Sequence, residues 1–246
     1  MTPTRAAVTF RPHRDPRMTS QVQEFLLALP VLLFSVVAHE YAHGYAALQQ
    51  GDTTAYDAGR LTLNPLKHID PWMTILLPAI LWFGSGGQFV FGGAKPVPVS
   101  PQKYRNYVKG DIIVSSAGIV TNLALYAACL AAAIGLGVTG RMLPGLGGVL
   151  GWLQRMMFWG IWLNALLAVF NLIPIPPLDG SHILYHLLPA RLATSYRKVA
   201  RNGFLILLAL LVFFREVFFV LLLPAWVLVR MAFSLAAPFA LRPLPF

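Results

Sequence analysis

Residues 39–43 read His39-Glu40-Tyr41-Ala42-His43. On a helix, positions four apart share a face, so the two imidazoles stand one turn apart with a carboxylate beside the first. Two imidazole nitrogens can ligate a zinc ion, and the neighbouring carboxylate can take a proton from a metal-bound water. A catalytic zinc ordinarily has three protein ligands and an open position. The candidates for the third ligand are His68, Asp179, His182 and His186. Asp179 is the best placed, because an ionisable side chain next to a spanning helix is costly and marks function. Pro174, Pro176 and Pro177 deny the backbone before it a regular helix. Unwound backbone is tolerated at membrane depth where it is buried in protein or lines a polar cavity. His182 and His186 form a second pair four apart, and a rival site with Asp179 is conceivable, but no carboxylate stands beside that pair to act as base. His68 lies in a polar loop and reads as a structural hydrogen-bonding residue.

The elements that must position these residues are membrane helices. Of 246 residues, 57% are hydrophobic and 11% charged, where a soluble domain carries about 25% charge. Strand-period alternation is absent, which predicts an all-α multi-pass membrane protein. The net charge of +10 does not point to nucleic acid, since the basic residues cluster in short loops between apolar segments. Cys129, the one cysteine, excludes an intrachain disulfide and a multi-cysteine metal site, and reads as a small buried hydrophobe. Residues 1–22 carry Arg5, Arg11, Arg14 and Arg17 without a long apolar core, unlike a cleavable signal peptide. Apolar segments follow at about 24–48, 72–92, 111–138 and 150–173, with a last apolar region at 203–240 that is interrupted by Arg215-Glu216 and Pro224. That last region fits one long span or two short ones. The division predicted is a basic N-terminal segment (1–22), a membrane-embedded core (23–188), and a basic loop with a C-terminal transmembrane region (189–246).

Four blocks carry a family resemblance: His39 to His43; Asn64-Pro65-Leu66-Lys67-His68-Ile69-Asp70-Pro71; Ala94-Lys95-Pro96-Val97-Pro98-Val99; and Asn171 through Leu178-Asp179-Gly180. In this order they resemble the site-2 protease family of intramembrane zinc metalloproteases, peptidase family M50, in its compact prokaryotic branch without a PDZ domain. The resemblance implies a site-2 protease-like helical core with a re-entrant element and short extended loops. It implies one zinc per chain bound by His39, His43 and Asp179, with Glu40 as general base. Asn171, eight residues before Asp179, matches an asparagine linked to substrate handling. Gly118-Ile119-Val120-Thr121-Asn122 is similar to a Gly-Pro-x-x-Asn element, with Ile119 in place of the proline, and suggests a like role for Asn122. Gly93 stands where relatives often have tryptophan. Val97 and Val99, set between prolines, suit an extended strand able to pair with an unwound substrate segment.

The reaction so implied is hydrolysis of peptide bonds within or near transmembrane segments of protein substrates in the lipid bilayer, with no nucleic-acid partner; the oligomeric state is left open. A membrane metal transporter is the rival reading, but it would more often show several carboxylates along a path, and the chain has nine Asp plus Glu in all. A catalytically inactive scaffold is opposed by the intact His-Glu-x-x-His and Leu-Asp-Gly.

Co-ligation constrains topology. His39 and His43 lie toward the C-terminal end of segment one, and Asp179 just beyond that of segment four, so the two segments must run parallel. One of the two segments between them must then fail to cross. Segment three has about 28 mostly apolar residues, enough to span, so segment two, broken at Gly84-Ser85-Gly86-Gly87, is predicted to be re-entrant or interfacial. The basic loops at 93–110 and 189–202 then share the catalytic side, which favours the cytoplasmic face of the cell membrane. The N-terminus, despite its four arginines, is placed outside.

Overall fold

The computed structural model describes residues 16–86, 92–200 and 202–243. Among these residues there are helices and extended connections but no strand. In chain order the helices are α1 (Pro16–Gln49), α2 (Thr54–Asp57), α3 (Leu77–Gly84), α4 (Tyr107–Met142), α5 (Gly147–Leu172), α6 (Asp179–Leu187), α7 (Ala190–Ala200), α8 (Gly203–Phe213) and α9 (Arg215–Ala236). Four stretches among the described residues are long and apolar enough to cross a membrane: Ser20–Gln49, Tyr107–Met142, Pro144–Leu172 and Glu216–Phe239. A helix is the element that satisfies each backbone group within its own segment, which hydrocarbon demands. The last apolar region therefore holds one span, α9, preceded by α8, whose 11 residues are too few to cross.

Contacts fix the helix directions. On α1 and α5, Glu24 meets Arg155 and Trp159, and Ser35 meets Asn164, so the numbers rise together and the helices are parallel. On α1 and α4, His39 meets Asn122 and His43 meets Val114, so these two are antiparallel. On α5 and α9, Phe158 meets Phe233 and Phe170 meets Phe218, again antiparallel. Buried Trp82, Phe158, Trp159, Ile161 and Leu163 form the core between α1, α3, α5 and α9.

Between α1 and α4 no described helix is long and apolar enough to cross a membrane. The intervening segment enters where the Lys95 amide donates to the His68 carbonyl, runs through a wide turn at Pro71–Leu76 into α3, and reaches down α1 to Gln21. There the Trp82 indole donates to the Gln21 carbonyl at 3.0 Å, and the Gln21 side chain to the Gly86 carbonyl at 2.9 Å. By Gly93 the chain is back beside Met73. This out-and-back path matches the expected re-entrant element, and it is how α1 and α5 come to run parallel.

Candidate active site

His39 and His43 sit in the last third of α1, and Asp179 is the first residue of α6. α5 ends at Leu172, the proline-rich turn follows, and the chain then doubles back tightly. A side chain at Gly180 would put its Cβ 2.2 Å from the Leu172 carbonyl oxygen, so glycine alone permits that return. His39 Nε2 and His43 Nε2 lie 2.9 Å apart, and each is 3.3 Å from Asp179 Oδ2. His43 Nδ1 is 2.7 Å from the Val114 carbonyl, which can only accept, so this nitrogen carries the proton and Nε2 keeps its lone pair. His39 Nδ1 donates in the same way to Asn122 Oδ1 at 2.6 Å.

Three electron-rich atoms thus face one another. Asp179 Oδ2 is buried and has no hydrogen-bond donor. Such a triangle repels itself unless a cation sits among its members. Ligand atoms about 2.1 Å from a tetrahedral zinc lie about 3.4 Å apart, close to the separations observed. These are the three residues among those described whose ligand atoms cluster as a metal site requires. The donor set, two imidazoles and a carboxylate with the outer imidazole nitrogens bonded to oxygen, is one that suits zinc.

Glu40 faces the same cavity, of about 330 Å³, together with Val97, Val99, Tyr104, Ser115 and Asn171. Residues 94–100 form an extended strap across it. The strap is held by Arg60 at the Lys95 carbonyl (2.9 Å), by Glu40 Oε2 at the Val97 amide (2.8 Å), and by Asp52 Oδ2 at the Ser100 amide (2.6 Å). Asp52 is fully buried. Burial works against its charge, but bonds from Thr54 and Ser100 and the nearby Lys103 outweigh that, so its carboxyl is held below the ordinary carboxylate range. The Val97 side chain packs against Gly44 of α1. On the other side of His39, α4 presents Gly118; a Cβ there would come within 2.4–2.6 Å of the His39 ring.

Residues 139–214 match the pattern of peptidase family M50. Over 188 residues the chain is 38% identical to "Putative zinc metalloprotease YwhC" of Bacillus subtilis, covering 74% of this chain and 78% of that protein. The chain belongs to peptidase family M50. It is 33% identical over 207 residues to "Putative zinc metalloprotease Rip2" of Mycolicibacterium smegmatis, covering 84% of this chain and 72% of the relative. No solved structure matches it. As an M50 member with four membrane-length helices it is a metalloprotease of the membrane.

Within this M50 protease, the structure brings His39, Glu40, His43, Asp179, Asn171, Val97 and Val99 round one cavity. Asn122 is not among them. It is fully buried behind His39, its oxygen bonded to His39 and its nitrogen to Asn164. The side chain points from α4 toward α5 and the back of the imidazole, outside the cavity lining where a substrate contact was expected of it. His68 is buried and bonded to the Thr62 carbonyl, as a structural histidine should be. His182 and His186 do not join Asp179. Both turn to Asp111 of α4, at 3.3 and 2.8 Å from Oδ2. Sequence reasoning did not single out Asp111, Asp52 or Asn164. For Asp111 and Asn164 the available signal is a carboxylate and an amide inside apolar segments.

Proposed function

We propose that this M50 protease is a zinc-dependent endopeptidase that hydrolyses peptide bonds within or near transmembrane segments of membrane proteins. The observation that carries the reading is the triangle of His39 Nε2, His43 Nε2 and Asp179 Oδ2 beside Glu40, inside a cavity walled by membrane-length helices. His39, His43 and Asp179 would hold one zinc. When bound, zinc polarises a carbonyl and lowers the pKa of a water. Glu40 accepts the proton of the attacking water at its carboxylate and returns it to the leaving amine. The Val97 amide keeps that carboxylate aimed into the cavity.

A helical substrate hides its peptide groups in its own hydrogen bonds, so it must be held unwound. Among the described residues the Val97 and Val99 carbonyls accept no backbone hydrogen bond and the Val99 amide donates none. Residues two apart in an extended chain present their groups to the same edge, so this edge suits pairing with an extended substrate. Pro96 and Pro98 have no amide to offer. Asn171, which donates to the Leu167 carbonyl, stands across the cavity as a further backbone contact. The loops on the site side carry Arg60, Lys67, Lys95, Lys103, Arg105, Lys109, Arg191, Arg197 and Lys198, which supports a cytoplasmic-facing site in the cell membrane and an N-terminus outside.

The test is reconstitution of the zinc-loaded protein with a single-span protein substrate in vesicles, beside Glu40→Gln. Cleavage by the wild type that ceases in the variant is expected. Cleavage that survives the substitution overturns the mechanism, and metal uptake by both forms without cleavage favours transport.

A further inference from the structure

His39 takes its orientation from a row of amides that crosses three helices. Its Nδ1 is 2.6 Å from Asn122 Oδ1 on α4. Asn122 Nδ2 lies 2.9 Å from Asn164 Oδ1 on α5. Asn164 Nδ2 lies 2.9 Å from both the Gly160 carbonyl and Ser35 Oγ on α1. Asn122, Asn164 and Ser35 are each no more than 1% exposed.

The row has a direction, and one atom sets it. The Gly160 carbonyl can only accept, so the NH₂ of Asn164 must face it. The oxygen of Asn164 then faces Asn122 and requires the Asn122 NH₂. That leaves the Asn122 oxygen for His39, which must carry its proton on Nδ1. The lone pair is thereby confined to Nε2, the atom that faces His43 and Asp179. If Asn122 turned over, its NH₂ would face Nδ1, the imidazole proton would move to Nε2, and the ring could no longer ligate through that atom.

We propose that Asn164 is a positioning residue that, acting through Asn122, holds His39 in its metal-ligating tautomer. This rests on the reading of His39, His43 and Asp179 as the zinc site. Each amide thereby partners the other inside two membrane helices, where an unpartnered polar group is costly. Asn164 touches neither substrate nor metal. Losing a partner of this kind weakens metal binding by about 10- to 100-fold.

The experiment uses the full chain in detergent, with zinc affinity measured by chelator competition for the wild type, Asn164→Leu and Asn164→Asp. Asn164→Leu, near in volume but without polar atoms, should bind zinc about 10- to 100-fold more weakly. Asn164→Asp should stay within about threefold of the wild type, because a neutral carboxylic acid keeps the acceptor toward Asn122 and one donor for the Gly160 carbonyl, and the Ser35 hydroxyl can turn to donate in place of the second N–H. A wild-type affinity in Asn164→Leu, or an equal loss in both variants, overturns the proposal. Imidazole ¹⁵N spectra of the metal-free wild type, recorded at a pH where the ring is neutral, give a readout that needs no variant: His39 should carry its proton on Nδ1, and a neutral ring protonated on Nε2 alone overturns the proposal. A wild type that takes up no zinc at all, with the Nδ1 proton in place, refutes the metal-site reading instead.

Discussion

Replacing Gly118 by alanine puts one methyl group against the ring of His39, a proposed zinc ligand. The added Cβ would lie 2.4 Å from His39 Cε1 and 2.6 Å from both ring nitrogens. Non-bonded carbon atoms prefer about 3.5–4.0 Å, so the ring or the helix must give way by about 1 Å. The ring is not free to do so, because Nδ1 is tied to Asn122 and Nε2 faces His43 and Asp179. Overpacking of this kind costs about 1–3 kcal/mol. Charged against the ligand geometry, that is about 5- to 150-fold in zinc affinity, each 1.4 kcal/mol being tenfold. A misplacement of about 1 Å also costs about 100-fold in turnover. The assay is chelator competition for zinc together with cleavage of a reconstituted substrate. Gly135→Ala, on the same helix with nothing within 4 Å, is the control; it should be neutral or stabilising by about 0.5–1 kcal/mol. A Gly118→Ala protein with wild-type affinity and turnover would refute the placement of His39 against α4.

Glu40→Gln should keep zinc at near wild-type affinity while cleavage falls by about 100- to 10,000-fold, the usual contribution of a general base; parallel metal analysis and product quantitation check both halves. Asp52→Ala removes the anchor of the strap at Ser100 and should cost about 1.5–3 kcal/mol, read as a lower Tm. Because the folded Asp52 carboxyl lies below its ordinary value, its contribution is whole at neutral pH and disappears as pH falls through the folded value, so the variant should lose less stability on acidification than the wild type does. His182 runs the other way. Its hydrogen bond to Asp111 raises it above the ordinary histidine value, so the pairing stabilises the fold below about pH 6.5 and fades as pH rises through the folded value. Melting curves between pH 6 and 9 should show that decline in the wild type and not in His182→Asn.

Much of the candidate site, as a cluster of side chains, was legible in the sequence because its signals are local. A helix turns His39-Glu40-Tyr41-Ala42-His43 into a face, and a proline-rich turn before Leu178-Asp179-Gly180 marks chain that cannot be a regular helix. The re-entrant segment was legible by a different route, since two ligands of one ion cannot lie on opposite sides of a bilayer. What escaped the sequence depends on which way side chains point across helix interfaces. His182 and His186 look like a second ligand pair until α4 brings Asp111, 71 and 75 positions away, between them. Asn122 carries a family signature for substrate handling, yet the rotation of α4 turns it to the back of His39. Asn164 is one of three side-chain amides, with Gln154 and Asn171, in a 26-residue apolar helix, and nothing local says that it faces Asn122. The clamp from Glu40 to Val97 joins residues 57 apart through a strap whose path no periodicity predicts.

The reaction proposed for this metalloprotease is cleavage of membrane-embedded chain. The most direct test is mass-spectrometric mapping of the bond cleaved in a single-span protein, reconstituted with the zinc-loaded enzyme in vesicles. A cut is expected within the span or within a few residues of its cytoplasmic end, absent with Glu40→Gln. Cuts confined to the soluble parts of the substrate, or equal cleavage of the same soluble parts presented without the span, would contradict it.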